Sequence, residues 1–188
     1  HKKIIDVERK FQDLNIIDTQ KFGPNKLQAA LAYNLSQLLP EDLEVSFFAV
    51  SGAESVEAAI KLSTMAKGNG AKYFISATEG YHGKTLGALS LTDTENFSEG
   101  FHVGLPKENT KKIEYNNIQA YKDIITKLSK EKIIAIIIEP IQGQIVEVAK
   151  KDYLKEICDI SKKNNIAVIF DEIKCGLGRS GNLFSFLD

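Results

Sequence analysis

The sequence predicts an α/β fold in which a mostly parallel sheet carries helices on both faces. Two features of the 188 residues support this prediction. Short apolar runs of strand length alternate with longer segments in which apolar residues recur at helical spacing. A strand that is apolar on both sides has to be covered on both sides, which is typical of parallel sheets between helices.

The predicted elements follow one another regularly from the N-terminus. The first helix is indicated by a stripe of leucines at Leu27, Leu31, Leu35 and Leu38. The segment Asp93–Lys112 is rich in loop-forming residues and is predicted to be irregular. Helices are predicted over Asn25–Leu39, Ala53–Gly68, Asn116–Lys130 and Lys151–Asn165, and strands over Glu44–Val50, Lys72–Ala77, Ile133–Ile138 and Ile166–Phe170.

Composition restricts the classes of function. The formal net charge of -1 offers no electrostatic basis for nucleic-acid binding. Cys158 and Cys175 lack the spacing of a metal site, and reduced thiols are expected. The longest apolar run, Ile133–Ile138, is too short to cross a membrane, and the N-terminus lacks a signal-peptide core. We therefore expect a cytoplasmic protein without a metal site.

Each apolar strand is followed by polar, glycine-rich sequence. The carboxyl ends of parallel strands meet at one edge of the sheet, and ligands of α/β proteins bind beyond that edge. The residues that follow the strands are therefore the candidates for a binding site. They begin at Ser51 (SGAESVE), Thr78 (TEGYHGK), Glu139 (EPIQGQ) and Asp171 (DEIKCGLGRSG).

The first of these segments predicts a helix start that can bind an anion. Ser51 is placed to cap the helix, and Glu54 completes a capping box. Gly52 allows a tight turn and a close approach by a ligand, and the free N–H groups of the first turn form a phosphate site. An ordinary capped helix without a ligand remains an alternative.

The second segment carries three side chains of interest. Tyr81, held between glycines, is able to lie flat against a ring. His82 is a candidate acid, base or ligand, although a lone histidine is more often structural. Lys84 is either an anion-binding residue or a surface lysine.

The fourth segment places a carboxylate at the end of a buried strand. Such a carboxylate is costly unless it is paired, so Asp171 requires a cationic partner. The candidates are Arg179 and the protonated ring nitrogen of a cofactor. A phosphate site, a stacking aromatic ring and a carboxylate together suit pyridoxal 5'-phosphate (PLP), whose ring nitrogen has to keep its proton.

The four segments together resemble the class III (subgroup II) aminotransferases, such as the acetylornithine, ornithine and putrescine enzymes, which have PLP fold type I. The resemblance rests on FFAVSGAESVEAAIKL, YHGKTLGALSLT, IIIEPIQGQ and IFDEIKCGLGRSGNLFSF, in the family's order and close to its spacing. It runs from about Phe22 to the last residue. It implies an N-terminal segment over residues 1–21 and an incomplete large PLP-binding domain over 22–188, without the family's C-terminal small domain.

The resemblance implies a cofactor-binding role for several residues. Ser51, Gly52 and Ala53 would form the phosphate site, the latter two through their backbone N–H groups. Tyr81 would stack on the pyridine ring, and His82 would lie in the same site. Family members are dimers with active sites at the subunit interface, so a homodimer is implied.

The resemblance also implies catalytic and substrate-binding roles. Asp171 would pair with the ring nitrogen, and Glu139 would lie near the cofactor and the substrate. Lys84 would bind substrate. Arg179 corresponds to a family arginine that is more structural than catalytic.

The chain departs from the family pattern at four positions. Lys174 stands where the family has a glutamine that contacts the phenolic oxygen of PLP, which a lysine is also able to contact. Gln144 replaces a glutamate, Lys84 replaces the arginine of the acetylornithine enzymes, and Val50 replaces an amide residue. These changes fit a different substrate or a loss of function. Lys174 is disfavoured as the Schiff-base lysine because the family geometry places it at the edge of the ring.

The family's Schiff-base lysine is expected roughly thirty residues beyond Asp171, and the 188 residues do not include that position. We therefore expect an aminotransferase fragment that is inactive alone. The complete enzyme would transfer an amino group from an amine or ω-amino donor, with a diamine favoured by Lys84, to a 2-oxo acid. A non-catalytic truncated homologue that acts as a binding protein is the alternative. A nucleotide-binding domain of another family is disfavoured because the G-x-G-x-x-G signature is absent.

Overall fold

The computed structural model describes residues 1–14, 25–40, 42–68, 70–93, 97, 99–100 and 104–187. The chain forms two compact units, His1–Phe48 and Ala49–Asp188. The domain boundary predicted between residues 21 and 22 lies outside the described residues and stays a prediction. Among the helices of the described ranges, none has the length and apolar character needed to cross a membrane.

The first unit contains helices α1 (Lys2–Asp13) and α2 (Lys26–Ser36). Helix α2 confirms the helix predicted in this region, and α1 was not predicted. The side chain of Asn25 caps α2, because its Oδ1 accepts hydrogen bonds from the backbone N–H groups of Leu27 and Gln28. The predicted leucine stripe is only half covered within this structure: Leu27 is 48% exposed.

The strand predicted over Glu44–Val50 is wrong, since this segment has no regular secondary structure. Its apolar pattern suits a strand, but a strand also needs a neighbour that completes its hydrogen-bond ladder. None of the described strands pairs with it. Val45 and Phe47 are accordingly exposed.

The second unit is built on a four-stranded parallel sheet. Its strands are β1 (Tyr73–Ala77), β2 (Thr110–Ile113), β3 (Ile133–Ile138) and β4 (Ala167–Phe170). The spatial order is β2-β1-β3-β4, and every neighbouring pair is parallel. The predictions for β1, β3 and β4 are confirmed. Strand β2 begins at the end of a segment predicted to be irregular, because its sequence TKKI lacks the apolar run used to recognise the other strands.

The helices of this unit are α3 (Gly52–Lys67), α4 (Leu86–Leu91), α5 (Ile118–Leu128) and α6 (Lys151–Lys163). Three of them confirm predicted helices, and only α4 was not predicted. This unit also contains the 3-10 turns Lys107–Asn109, Lys130–Lys132 and Ser185–Leu187.

The core has two layers, one on each face of the sheet. Strand β3 is buried along its whole length, and its side chains are divided between the two layers. Ile136 and Ile138 pack in a cluster with residues of α5 and α6, and Ala135 and Ile137 in a cluster with residues of α3 and α4. Burying one such isoleucine contributes about 2 kcal/mol. The predicted sheet with helices on both faces is confirmed.

The register of the sheet places two acids side by side. Ile138 of β3 is paired with Phe170 of β4, and each is the last residue of its strand. The backbone N–H of Asp171 then donates to the carbonyl of Ile138 over 2.9 Å. Glu139 and Asp171, which follow the two strands, therefore share the carboxyl edge of the sheet.

Candidate functional site

A cavity of about 490 Å³ lies at the carboxyl edge of the sheet. Its walls come from the start of α3, from the segment that follows β1 and from the segment that follows β4. Gly83, Thr85 and Ile173 complete the lining. Seven residues predicted from the sequence also line it: Gly52, Ala53, Tyr81, His82, Lys84, Asp171 and Lys174.

Asp171 forms a buried pair with His82. The Nδ1 of His82 lies 2.8 Å from Oδ2 of Asp171, and their side chains are only 1% and 4% exposed. The other carboxylate oxygen accepts a hydrogen bond from the backbone N–H of Ile173 over 3.1 Å. With Asp171 ionised, Nδ1 of His82 carries the proton of this hydrogen bond.

The structure corrects the protein partner expected for Asp171. Arg179 was one of the two candidates, but it is exposed, and the pair is made with His82 instead. His82 precedes Asp171 by 89 residues, so the parallel sheet rather than chain proximity brings them together. The other ring nitrogen of His82, Nε2, is buried and has no hydrogen-bond partner among the described residues.

Glu139 holds backbone groups with both oxygens of its carboxylate. Oε2 accepts from the N–H of Tyr81 and Oε1 from the N–H of Gly143, each over 2.9 Å. Glu139 is 3% exposed, and burial raises its pKa above the ordinary glutamate value although the two N–H donors oppose that rise. This carboxylate therefore positions the segment that carries Tyr81, and Glu139 is not among the described residues that line the cavity.

The start of α3 has the predicted pair of Ser51 and Glu54, although Glu54 binds the residue before the cap rather than the cap itself. Oγ of Ser51 accepts from the N–H of Glu54 over 3.2 Å, and the carboxylate of Glu54 accepts from the N–H of Val50 over 2.8 Å. Ser51 is exposed and serves as the cap, while Gly52 and Ala53 line the cavity. In the first turn of a helix, N–H groups such as theirs have no partner in the preceding turn.

Two glycines allow the cavity walls to approach each other. A Cβ atom on Gly52 would lie 2.9 Å from Cδ1 of Ile173, so the start of α3 packs closely on the segment after β4. A Cβ atom on Gly83, whose φ is +125°, would lie 2.8 Å from Cβ of Ala53. The segment that follows β1 is therefore also packed closely against α3.

Three side chains form an aromatic cluster at one side of the cavity. The rings of Tyr81 and Phe97 meet edge to face with centroids 5.9 Å apart. Nζ of Lys84 lies 4.1 Å from the centroid of the Phe97 ring, a cation–π contact. Phe97 was missed from the sequence because it lies in the segment predicted to be irregular.

The four departures from the family pattern fall into two groups. Lys84 and Lys174 line the cavity, and Lys174 packs so closely on Gly143 that a Cβ there would lie 3.0 Å from its Cγ. Val50 and Gln144 are exposed and are not among the described lining residues. Lys174 adds an ammonium group where the family has a neutral glutamine, and Lys84 keeps the positive charge of the arginine that it replaces.

Glu172 and Glu57 also have contacts that sequence reasoning missed. Oε1 of Glu172 accepts from the N–H of Phe186 over 2.7 Å, which ties the end of the chain to the start of the segment after β4. Glu57 binds the start of α4. Both glutamates lie in the quoted motifs, but nothing in their spacing indicates which backbone groups they bind.

Comparisons with known proteins identify relatives of this chain. The class-III aminotransferase family (Aminotransferase class-III) matches residues 1–187. The chain is 37% identical over 191 residues to an acetylornithine aminotransferase of Methanocaldococcus jannaschii, which covers 99% of this chain and 46% of that enzyme. It is 38% identical over 163 residues to a putrescine aminotransferase of Pectobacterium atrosepticum, which covers 85% of this chain and 34% of that enzyme.

The fold is shared with solved transaminases. A thermostable (S)-enantioselective omega-transaminase from Thermomicrobium roseum superposes with a TM-score of 0.89 at 27% identity, over 100% of this chain and 46% of that chain. The chain thus spans less than half the length of these relatives. Aminotransferases of class III depend on PLP. The match over nearly every residue and the shared fold show that this chain belongs to the class-III aminotransferase family.

Proposed function

We propose that the chain provides the PLP-binding part of an aminotransferase that transfers an amino group from an amine or ω-amino donor to a 2-oxo acid. One observation carries the proposal. A single cavity is lined by the start of α3, by Tyr81 and by Asp171, which are the anion site, the aromatic ring and the carboxylate that PLP requires.

The start of α3 fits the phosphate group. The N–H groups of Gly52 and Ala53 belong to the first helical turn and lie at the cavity wall. The side chains of Ser51 and Glu54 occupy other N–H groups and leave these two for an anion.

The buried carboxylate fits the ring nitrogen. When bound, PLP acts as an electron sink that stabilises the charge released at the substrate carbon. Asp171 would hold the proton on the ring nitrogen, and His82 would fix the orientation of the carboxylate through its 2.8 Å contact. Glu139 would keep Tyr81 in place for stacking by holding its backbone N–H.

Of the two lysines that line the cavity, one would bind the cofactor and the other the substrate. Lys174 would donate to the phenolic oxygen of the cofactor. Lys84 would meet the substrate, and its ammonium group is already held at the cavity by the ring of Phe97. The identities to the acetylornithine and putrescine enzymes, 37% and 38%, are nearly equal and do not distinguish between their donors. We therefore propose a diamine donor on the basis of Lys84.

The complete enzyme would be a cytoplasmic homodimer with further chain beyond the part described. The relatives are more than twice as long as the aligned segment, and the outer edge of β4 has no neighbour among the described strands. The lysine that binds PLP covalently would belong to that further chain. We therefore expect the isolated chain to bind PLP without turnover of any amine donor.

Titration of the purified chain with PLP tests the proposal. Saturable binding, followed by the absorbance of the cofactor, is expected for the wild type and for K61A, a variant on the exposed part of α3. Binding is expected to be lost in D171N, whose neutral amide does not hold a protonated ring nitrogen. A wild-type chain that shows no saturable binding would contradict the proposal, and turnover of an amine donor by the isolated chain would contradict the predicted inactivity.

A further inference from the structure

We propose that Glu57 is a positioning residue that holds the wall formed by residues 83–87 against α3, and that it thereby sets the affinity of the cavity for its cofactor. The inference rests on the proposed function, because the affinity in question is that for PLP. Glu57 belongs to the SGAESVE motif but has no role in the site described so far.

One oxygen of Glu57 binds three donors of the facing segment. Oε1 accepts from Oγ1 of Thr85 over 2.6 Å, from the N–H of Gly87 over 2.8 Å and from the N–H of Ala88 over 3.1 Å. The two N–H groups belong to the first turn of α4 and have no partner within that helix. A carboxylate is the strongest acceptor that a side chain offers them.

The second oxygen of Glu57 has room because Gly87 has no side chain. A Cβ atom on Gly87 would lie 2.3 Å from Oε2, a distance that excludes any residue but glycine while the carboxylate stays in place. Four positions earlier, Gly83 touches Ala53 in the same way. Segment 83–87 therefore packs against α3 at two points, at Ala53 and at Glu57. The contact with Glu57 is the one that is made by hydrogen bonds.

This contact determines the geometry of the cavity. Thr85 both lines the cavity and donates to Glu57, and Lys84 lies directly before it. On the opposite side, Ala53 belongs to the same helix as Glu57. If the contact is lost, the wall that carries Lys84 moves independently of the N–H groups that bind the phosphate, and a bound cofactor has to restore their relative position at a cost in affinity.

The first experiment measures PLP binding by three variants of the chain. E57A removes all three hydrogen bonds, and we expect its dissociation constant to rise at least about fivefold, since bonds to charged groups are among the stronger ones. E57Q keeps an oxygen at the position of Oε1, and we expect its constant to stay within about twofold of the wild type. E156A removes a glutamate of α6 that is partly exposed, as Glu57 is, and serves as the control, with no change expected.

Amide hydrogen exchange reports the contact without any cofactor. In E57A, the N–H groups of Gly87 and Ala88 should exchange faster, while those of β3 should remain as protected as in the wild type. A role confined to stability would instead lower protection throughout the unit.

G87A supplies a test that does not require E57A to fold, and together the two variants form a double-mutant cycle. G87A displaces the carboxylate by steric overlap and should weaken PLP binding in the wild-type background. In the E57A background the overlap is gone, so the same glycine-to-alanine change should have no further effect on binding.

The possible results are distinguishable. A wild-type chain that does not bind PLP overturns the proposed function and the inference with it. A wild-type chain that binds PLP, together with E57A and G87A chains that bind equally well, overturns the inference alone. Weakened binding in E57A and G87A, with E57Q and E156A close to the wild type, supports it.

Discussion

Two pairs of an acidic and a basic side chain in this protein have nearly the same length and very different surroundings. His82 and Asp171 are 2.8 Å apart at the edge of the sheet, and Lys122 and Glu156 are 2.6 Å apart between α5 and α6. The side chains of the first pair are at most 4% exposed, whereas those of the second are 42% and 45% exposed. Water screens the exposed pair and competes for its charges, so the longer, buried pair has the larger effect when one partner is removed.

The largest effect is expected from D171A. The variant removes both acceptors, and it leaves Nδ1 of His82 buried without its partner and the N–H of Ile173 without its acceptor. Loss of one member of a buried pair costs about 3 kcal/mol of unfolding free energy. Urea unfolding followed by circular dichroism measures the loss of unfolding free energy. A loss smaller than that caused by E156A in the exposed pair would contradict the comparison.

A somewhat smaller effect is expected from E139Q. An amide accepts with one oxygen only, so one of the N–H groups of Tyr81 and Gly143 then faces an NH₂ group, at a cost of about 2 kcal/mol. Burial raises the pKa of Glu139 in the folded state, so the folded protein binds the proton more tightly than the unfolded chain. Wild-type stability should therefore fall as the pH rises above the ordinary glutamate range, and E139Q should lack this dependence. Unfolding curves of both proteins from pH 4 to pH 7 test the sign.

Lys112 is partly buried, so its exposure to water lies between those of the buried pair and the exposed pair. Its ammonium group donates to the carbonyl of Leu91, and burial lowers its pKa to about 8 from 10.5, with Asp93 opposing the shift. Between these two pH values the unfolded chain binds more protons than the folded protein, so wild-type stability should rise with pH by up to about 3 kcal/mol.

The variant K112M removes this titration and should show no rise in that range. The difference in unfolding free energy between K112M and the wild type, measured at pH 7.5 and at pH 10, checks the prediction. An equal change with pH in both proteins would show that Lys112 does not carry it.

The smallest effect is expected from E156A. Its partner Lys122 is almost half exposed and returns to water when the carboxylate is removed, so the change in unfolding free energy should stay below about 1 kcal/mol. Added salt should reduce even that difference. A loss comparable with that of D171A would show that burial does not separate the two pairs.

The sequence predicted the sheet well where a strand was apolar throughout. Ile133–Ile138 was predicted to its last residue because every position is buried and no polar residue interrupts it. Thr110–Ile113 was not predicted as a strand, since two of its four residues are lysines and only pairing with β1 makes it one. Glu44–Val50 shows the reverse case, an apolar segment that has no paired strand in the described structure.

The sequence named most of the residues that line the cavity, but it did not predict their contacts. Five of the seven predicted residues that line the cavity follow β1 or β4, where the ends of parallel strands converge. Gly52 and Ala53 follow a segment that is not a strand, and they were recognised by the helix start that they form. The carboxylates of Glu57, Glu139 and Glu172 were not assigned to particular partners. Each binds backbone N–H groups, which are the same in every residue and leave no trace in the sequence.

The sequence by itself determined the layered α/β architecture, the edge at which the site lies and the family. Those features depend on the period of apolar residues and on short motifs, both of which are local along the chain. Only the tertiary structure decided that Asp171 is paired with His82 rather than Arg179, and that Gly87 leaves room for Glu57. These contacts join residues far apart in the chain, and the strand register and the close approach of backbones that create them exist only once the sheet and its helices have packed.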